Sequence, residues 1–363
     1  MKIRKLRAIL CLLLIAAICC ATGACNMLYE ETATADSTRD SAKGATEDSA
    51  SPRRIIIDTD AGADDASAII FAALQKKVEI LGVTVLAGNV DLEQGVKNVI
   101  AALEQAGCDA PVYKGSEKNY DGTEKSAFSV FGDDGMGDAD LIHPQRQATD
   151  GDAVDFIIDS VKENPGEVEI VAIGPVTNIA KAIEKDPDTM KNVKRIWSMG
   201  TTGLGAGNAS PVAEFNVYND APAYQFMLDS DLPITVVGLD MCGGDAMWTD
   251  DQFDELSDSD TIGEFVAASF GKIREYYKNN GNDAVMNCDG LAMMCVLYPG
   301  FVKDTVSTHA SCITDEGETY AEVLFYKEGF TYDLVKNDFD YNVALVTEVD
   351  STRYFEYYLE AVE

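Results

Sequence analysis

Arg54-Ile55-Ile56-Ile57-Asp58-Thr59-Asp60-Ala61-Gly62-Ala63-Asp64-Asp65 is the stretch whose reading decides the fold. Three consecutive isoleucines flanked by polar residues read as a strand buried on both faces, the habit of parallel sheets. A glycine-containing turn follows. From Asp64 to Leu74, the residues Ala66, Ile69, Ile70 and Ala73 then fall at the three- and four-residue spacing of one helix face. Buried strand, tight turn and amphipathic helix together open a strand-helix-strand unit.

The alternation continues outward from that unit. Apolar runs predict strands over 80–86, 168–173, 195–199 and 234–238. Helical periodicity covers 92–106, 153–161, 177–183 and 221–228, then 290–297 and the region around 261–279. Residues 300–363 read as a β-rich stretch and a last helix of the same domain. The pattern predicts an α/β fold, an open, mainly parallel, doubly wound sheet of Rossmann-like type, in a single domain spanning 53–363. Such sheets bind ligands beyond the C-terminal ends of their strands.

Upstream of the domain the composition changes. Residues 1–25 carry Lys2, Arg4, Lys5 and Arg7 ahead of an apolar run, then Ala21-Thr22-Gly23-Ala24-Cys25. This is the layout of an export signal, and the small residues before Cys25 resemble a bacterial lipobox, which makes Cys25 the candidate lipidation site. Plain secretion is the alternative. Residues 26–52 are rich in Ala, Thr, Ser, Asp and Glu and read as a flexible linker. The location expected is therefore extracytoplasmic, with membrane attachment through the N-terminal lipid alone. Four of the nine cysteines fall in the leader; Cys108, Cys242, Cys288, Cys295 and Cys312 follow no disulfide or zinc spacing.

The 363 residues carry 28 basic and 62 acidic side chains, a net charge of −34. That balance excludes nucleic acid as a partner, because phosphate binding needs a basic face. It suits cations and neutral polar ligands. Asp58, Asp60, Asp64 and Asp65 crowd a strand end and a helix start, where like charges repel unless a hard cation with oxygen ligands compensates them. One of these aspartates could be a helix cap, but a cap explains one and not four.

At this point Asp58 to Asp65 resembles the DTDxGxDD signature of the inosine-uridine preferring nucleoside hydrolases. Further segments are similar to that family in the same order. They are Ala87-Gly88-Asn89-Val90, Gly174-Pro175-Val176-Thr177-Asn178-Ile179-Ala180, Met199-Gly200, Gly207-Asn208, Glu214-Phe215-Asn216 and Val237-Gly238-Leu239-Asp240. The resemblance implies Ca²⁺-dependent cleavage of the N-glycosidic bond of small-molecule ribonucleosides, and a homodimer or tetramer. By position it implies Asp60, Asp65, Asp289 and the Ile173 carbonyl as metal ligands. Asp60 would also be the general base toward water. Asp64, Asn208, Glu214, Asn216 and Asp289 would contact the ribose side of the site, with Asn89 supporting water and metal. These residue types suit the chemistry, since carboxylates and amides stabilise an oxocarbenium-like sugar and hold its hydroxyls.

One departure bears on mechanism. Well-known members carry His before the last metal-binding Asp, whereas this chain has Cys288-Asp289-Gly290, which makes Cys288 the candidate acid for the leaving base. A helix N-terminus and a cation lower a thiol pKa and nearby carboxylates raise it, so the sequence leaves the sign open. Phe131 also replaces a usual His. His143 and His309, the only histidines, lie outside the motifs. The alternative readings are a catalytically impaired calcium- and ribose-binding surface lipoprotein, or a hydrolase of a non-standard ribosyl substrate.

Overall fold

The computed structural model describes residues 52–124, 129–298, 300–329 and 339–362. The leader over 1–25, with Cys25, and almost all of the 26–52 linker lie outside the described residues. In chain order the elements are β1 (Arg53–Thr59), α1 (Ala63–Ala73), β2 (Val78–Val85), α2 (Leu92–Gln105), β3 (Val112–Lys114), α3 (Ala153–Glu163) and β4 (Val168–Ala172). Then come α4 (Thr177–Lys185), α5 (Pro187–Met190), β5 (Arg195–Met199), α6 (Phe215–Asn219), α7 (Ala221–Leu228) and β6 (Ile234–Val237). The chain continues through β7 (Trp248–Thr249), α8 (Asp250–Ser259), α9 (Thr261–Ser269), α10 (Gly271–Asn279), β8 (Ala284–Val285) and α11 (Cys288–Leu297). It closes with β9 (Val302–Cys312), β10 (Val323–Lys327), β11 (Val343–Val349) and α12 (Tyr354–Val362).

Nine strands form one sheet in the order β10-β9-β11-β6-β5-β4-β1-β2-β3. All neighbours from β3 to β11 pair in parallel; β9 and β10 run antiparallel at one end. The isoleucines of β1 show how the sequence builds two faces. Ile55 and Ile57 enter one apolar cluster with α1, α2 and α11, while Ile56 enters the other with α3, α4 and α7. All three are fully buried, each worth about 1.5–3 kcal/mol relative to exposure. The sheet is thus doubly wound, as the alternation predicts. Strand order reverses between β1 and β4, which opens the crevice where such sheets seat ligands.

The short elements α5, α6, β7 and β8 are absent from the sequence reading, and other features differ from it. The helical region around 261–279 is two helices, α9 and α10, with Phe270 at their junction. Short β3 follows Pro111 and shows no alternation of its own. In α8 only Phe253 and Leu256 are buried, so its apolar stripe is too thin to register, although Thr249 and Gln252 form a capping box that marks its start.

Candidate active site

The C-terminal end of β1 sets the first side chains. Asp58 is buried and accepts hydrogen bonds from Thr84 Oγ1 at 2.5 Å and Asn178 Nδ2 at 2.8 Å, tying β1 to β2 and α4. Ala61 then turns the chain with φ 62°, a left-handed conformation uncommon for alanine. Its N–H donates to Thr59 Oγ1 and its carbonyl accepts from Asn98 Nδ2, which hold the turn. Between these points Asp60 is fully buried. Its carboxylate accepts the Asn89 N–H at 2.8 Å and the Asn89 amide at 3.2 Å. Gly88 and Gly174 flank it so closely that a Cβ on Gly88 would lie 2.1 Å from Asp60 Oδ2, and one on Gly174 would lie 2.8 Å from the Asp60 nitrogen. Glycine at both places lets two loop backbones touch one carboxylate.

Asp65, in the first turn of α1, accepts from the Gly62 N–H at 2.8 Å and Thr59 Oγ1 at 2.5 Å. Asp64 has a buried Oδ1 with no hydrogen-bond partner among the described residues. Asp289 arrives from α11, whose cap is Asn287 rather than Asp289 itself. One carboxylate oxygen from each of Asp64, Asp65 and Asp289 lies within 4.8 Å of the others, and all three residues are buried. Burial, followed by mutual repulsion, pushes the Asp64 and Asp289 carboxyls well above the usual range; burial likewise raises Asp65. The N-termini of α1 and α11 both meet this cluster, and their dipoles offset only part of the repulsion. Three converging carboxylates, one of them with an orphaned buried oxygen, are hard donors that fit a divalent cation.

Across the crevice, Glu214 caps α6. It accepts the Asn216 N–H at 2.8 Å and the Val217 and Thr201 N–H groups at 3.2 Å each. Burial nonetheless pushes its carboxyl up to about 7. Asn216 donates its amide to the carbonyls of Ile173 at 3.2 Å and Met199 at 3.3 Å, which joins the ends of β4 and β5. Asn208 accepts the Phe215 N–H at 2.9 Å. Glu214 and Asn216 are therefore buried parts of the crevice and not a solvated loop.

These groups line a cavity of about 290 Å³. Asp64, Asn89, Ile173, Asn208, Glu214, Asn216, Cys288 and Asp289 face into it. Asp60 and Asp65 stand behind Asn89, whose amide lies 3.2 Å from one and 3.4 Å from the other. Sequence reasoning thus placed ten residues that the fold brings to one crevice. The mutually close triad contains Asp64 and not Asp60, which is linked to Asp65 by two hydrogen bonds through the Asn89 amide. No sequence pattern names the residues of the outer wall: Phe215, Tyr218, Ile273, Tyr276, Tyr277 and Met286 supply a largely apolar and aromatic surface. Its members come from α6, α10 and the connection after β8, and no local spacing brings them together.

Cys288 sits in the cavity wall with its thiol in hydrogen-bond contact with Cys242. That contact, burial and the charges of Asp64 and Glu214 push the thiol well above its ordinary value. The sign left open by the sequence is therefore upward. Neither histidine lines the cavity; His143 is exposed beside Asp140, and His309 packs against Tyr326 and Phe339 on β9. Phe131 does line it.

Comparison with known proteins agrees with this geometry. A family model described as inosine-uridine preferring nucleoside hydrolase matches residues 55–356. Uridine nucleosidase 1 of Arabidopsis thaliana is 40% identical over 190 residues, 52% of this chain and 56% of that protein. The pyrimidine-specific ribonucleoside hydrolase RihB of Escherichia coli O157:H7 is 35% identical over 190 residues, 52% of this chain and 60% of that one. The match thus spans less than two thirds of either curated relative. Among solved structures, the plant nucleoside hydrolase PpNRh1 superimposes with a TM-score of 0.80 at 30% identity, covering 86% of this chain and 99% of that one.

Proposed function

Because the chain belongs to the inosine-uridine preferring nucleoside hydrolase family, we propose that it cleaves the N-glycosidic bond of ribonucleosides to free base and ribose with Ca²⁺ as cofactor. The observation that carries this reading is the convergence of Asp64, Asn89, Asn208, Glu214, Asn216 and Asp289 on one cavity backed by Asp60 and Asp65.

Asp60, Asp65, Asp289 and the Ile173 carbonyl are the residues that would hold the ion, with Asp64 close enough to share it or to bind a ribose hydroxyl. Bound calcium would supply charge compensation and acidify a water. Asp60, pinned at both oxygens by Asn89, accepts the proton of the attacking water. Glu214, Asn208 and Asn216 fix the ribose hydroxyls and stabilise positive charge as it builds on the sugar. The aromatic wall receives the flat base and excludes water from it. Cys288 faces the cavity as a neutral thiol and is the group we assign to the leaving base.

One observation favours a second reading, a calcium- and ribose-binding protein with weak turnover. No histidine reaches the cavity, and a thiol held above its ordinary pKa releases its proton reluctantly. For cellular context we propose an extracytoplasmic lipoprotein anchored through Cys25 and assembled as a dimer or tetramer; the leader and the family resemblance support these points.

Chromatographic product analysis with inosine, uridine, adenosine, guanosine and cytidine tests the function, each with Ca²⁺ and with a chelator. Free base appearing only with Ca²⁺ supports the hydrolase. Silence across the panel despite calcium binding turns the reading to the binding protein.

A further inference from the structure

The carboxylate cluster depends on two helices meeting, since Asp64 and Asp65 ride on α1 and Asp289 on α11. A third element touches both at that junction. Tyr358 of α12 donates its hydroxyl to the Ser67 carbonyl at 3.0 Å, one turn beyond Asp64. Tyr354, one turn earlier on α12, donates to the Asn287 carbonyl at 3.1 Å, two residues before Asp289. Ser67 and Asn287 complete the joint. The Ser67 hydroxyl lies 2.9 Å from both Asn287 Oδ1 and the Asp64 carbonyl, and the same Asn287 oxygen caps α11 through the Gly290 N–H.

The joint is tightly built. A Cβ on Gly290 would fall 2.3 Å from the Tyr354 hydroxyl, so α11 approaches this tyrosine more closely than any other residue there would permit. Trp248 packs on Tyr354, Phe355 and Tyr358 with ring centroids 5.4, 5.4 and 4.8 Å away, which fixes the face of α12 that carries the hydroxyls. Burial raises both tyrosine pKa values, so both groups stay protonated donors across the working range. Neither tyrosine lines the cavity.

We propose that Tyr354 and Tyr358 are positioning residues that clamp α1 to α11 and so bring Asp64, Asp65 and Asp289 within reach of one cation. The inference rests on the reading of this cluster as the calcium site. Each hydroxyl holds one helix backbone, so loss of either loosens the angle at which the carboxylates meet. Neither touches the ion or the substrate. The phenylalanine variants keep the aromatic packing. The Asn287 carbonyl also keeps its bond from the Leu291 N–H, so no buried acceptor is stranded there.

Calorimetric titration of Ca²⁺ into wild type, Tyr354→Phe, Tyr358→Phe, the double variant and Tyr357→Phe tests the clamp, with the metal-free melting temperature of each as companion. Tyr357 is the control, since its hydroxyl bonds Arg353 and not a site helix. The expected result is a calcium Kd weakened roughly tenfold in each single variant and further in the double, the low end of the range of about 10–100-fold seen for outer partners of metal ligands. Tyr357→Phe stays within about twofold. Affinity unchanged in the double variant, whether or not its melting temperature falls, overturns the clamp while leaving the metal site intact. A wild-type protein that binds no calcium overturns the metal reading and the clamp with it.

Discussion

Gly88→Ala should disable Asp60, which we propose as the general base, without touching it chemically. The added methyl would stand 2.1 Å from Asp60 Oδ2, 2.6 Å from its Cβ and 2.7 Å from its Cγ, where ordinary contact needs about 3.4 Å or more. Rotating the carboxylate does not relieve the clash, because the Asp60 Cβ is itself too close. Little room for retreat remains on the other side, where the Gly174 backbone comes so close that a Cβ on it would lie 2.8 Å from the Asp60 nitrogen. Relief therefore takes about 1 Å of backbone or side-chain movement, which breaks the 2.8 Å bond from the Asn89 N–H. Overpacking of this kind costs about 1–3 kcal/mol of stability. A displacement of about 1 Å in a reacting group costs on the order of 10²-fold in rate. The assay is free-base release at saturating Ca²⁺ over a range of nucleoside concentrations, with calorimetric melting alongside. The expected outcome is a kcat lowered about 100-fold with KM changed little, and a modest fall in Tm. Gly271→Ala serves as control, since its Cβ would meet nothing within 4 Å. A Gly88→Ala enzyme within threefold of wild-type kcat would refute the claim that this packing positions Asp60.

The remaining predictions concern charge. Asp64 and Asp289 carry folded pKa values raised above their unfolded ones, so their contribution to stability is present below the unfolded pKa and is lost as pH rises through the folded one. Metal-free protein should therefore melt at progressively lower temperature as pH rises from about 4 through neutrality; Asp289→Asn should flatten that slope and abolish stabilisation by Ca²⁺, and an unchanged slope in differential scanning calorimetry would count against it. If Glu214 binds the ribose hydroxyls as proposed, its carboxyl, pushed up to about 7, should accept them best when ionised, so KM should fall as pH climbs past that value. Glu214→Gln should raise KM several-fold and remove the dependence, and a retained inflection in the KM profile would reassign it. If Cys288 serves the leaving base, Cys288→Ala should lower kcat far more than substrate affinity; equal activity in the variant removes it from the mechanism. In intact protein, peptide mapping after iodoacetamide at pH 8 should find Cys108 modified ahead of Cys288, because Cys108 is partly exposed whereas Cys288 is buried with its thiol pKa raised.

How much of this was readable before the fold depends on distance along the chain. The isoleucines of β1 and the periodic alanines and isoleucines of α1 announce their elements because a buried strand and a one-sided helix each leave a local pattern. Asp60, Asp64 and Asp65 were legible for the same reason, being fixed by one turn. Glu214 and Asn216 could be named from a motif, yet their burial, the capping of α6 and the raised carboxyl follow from the loop after β5 folding over them. The individual residues of the aromatic wall follow no readable sequence pattern. Tyr218 and Tyr277 lie 59 residues apart on different helices and line one cavity only because α6 and α10 border the same crevice. Nor could the direction of the Cys288 shift be read, since Cys242, its contact, follows β6 and is 46 residues earlier.

The most direct test is the initial rate of base release from uridine measured against free Ca²⁺ and overlaid on a calcium-binding isotherm of the same protein. The account predicts that the two curves superimpose and that Asp60→Asn abolishes release. Release that persists in excess chelator, or an Asp60→Asn variant as active as wild type, would contradict it.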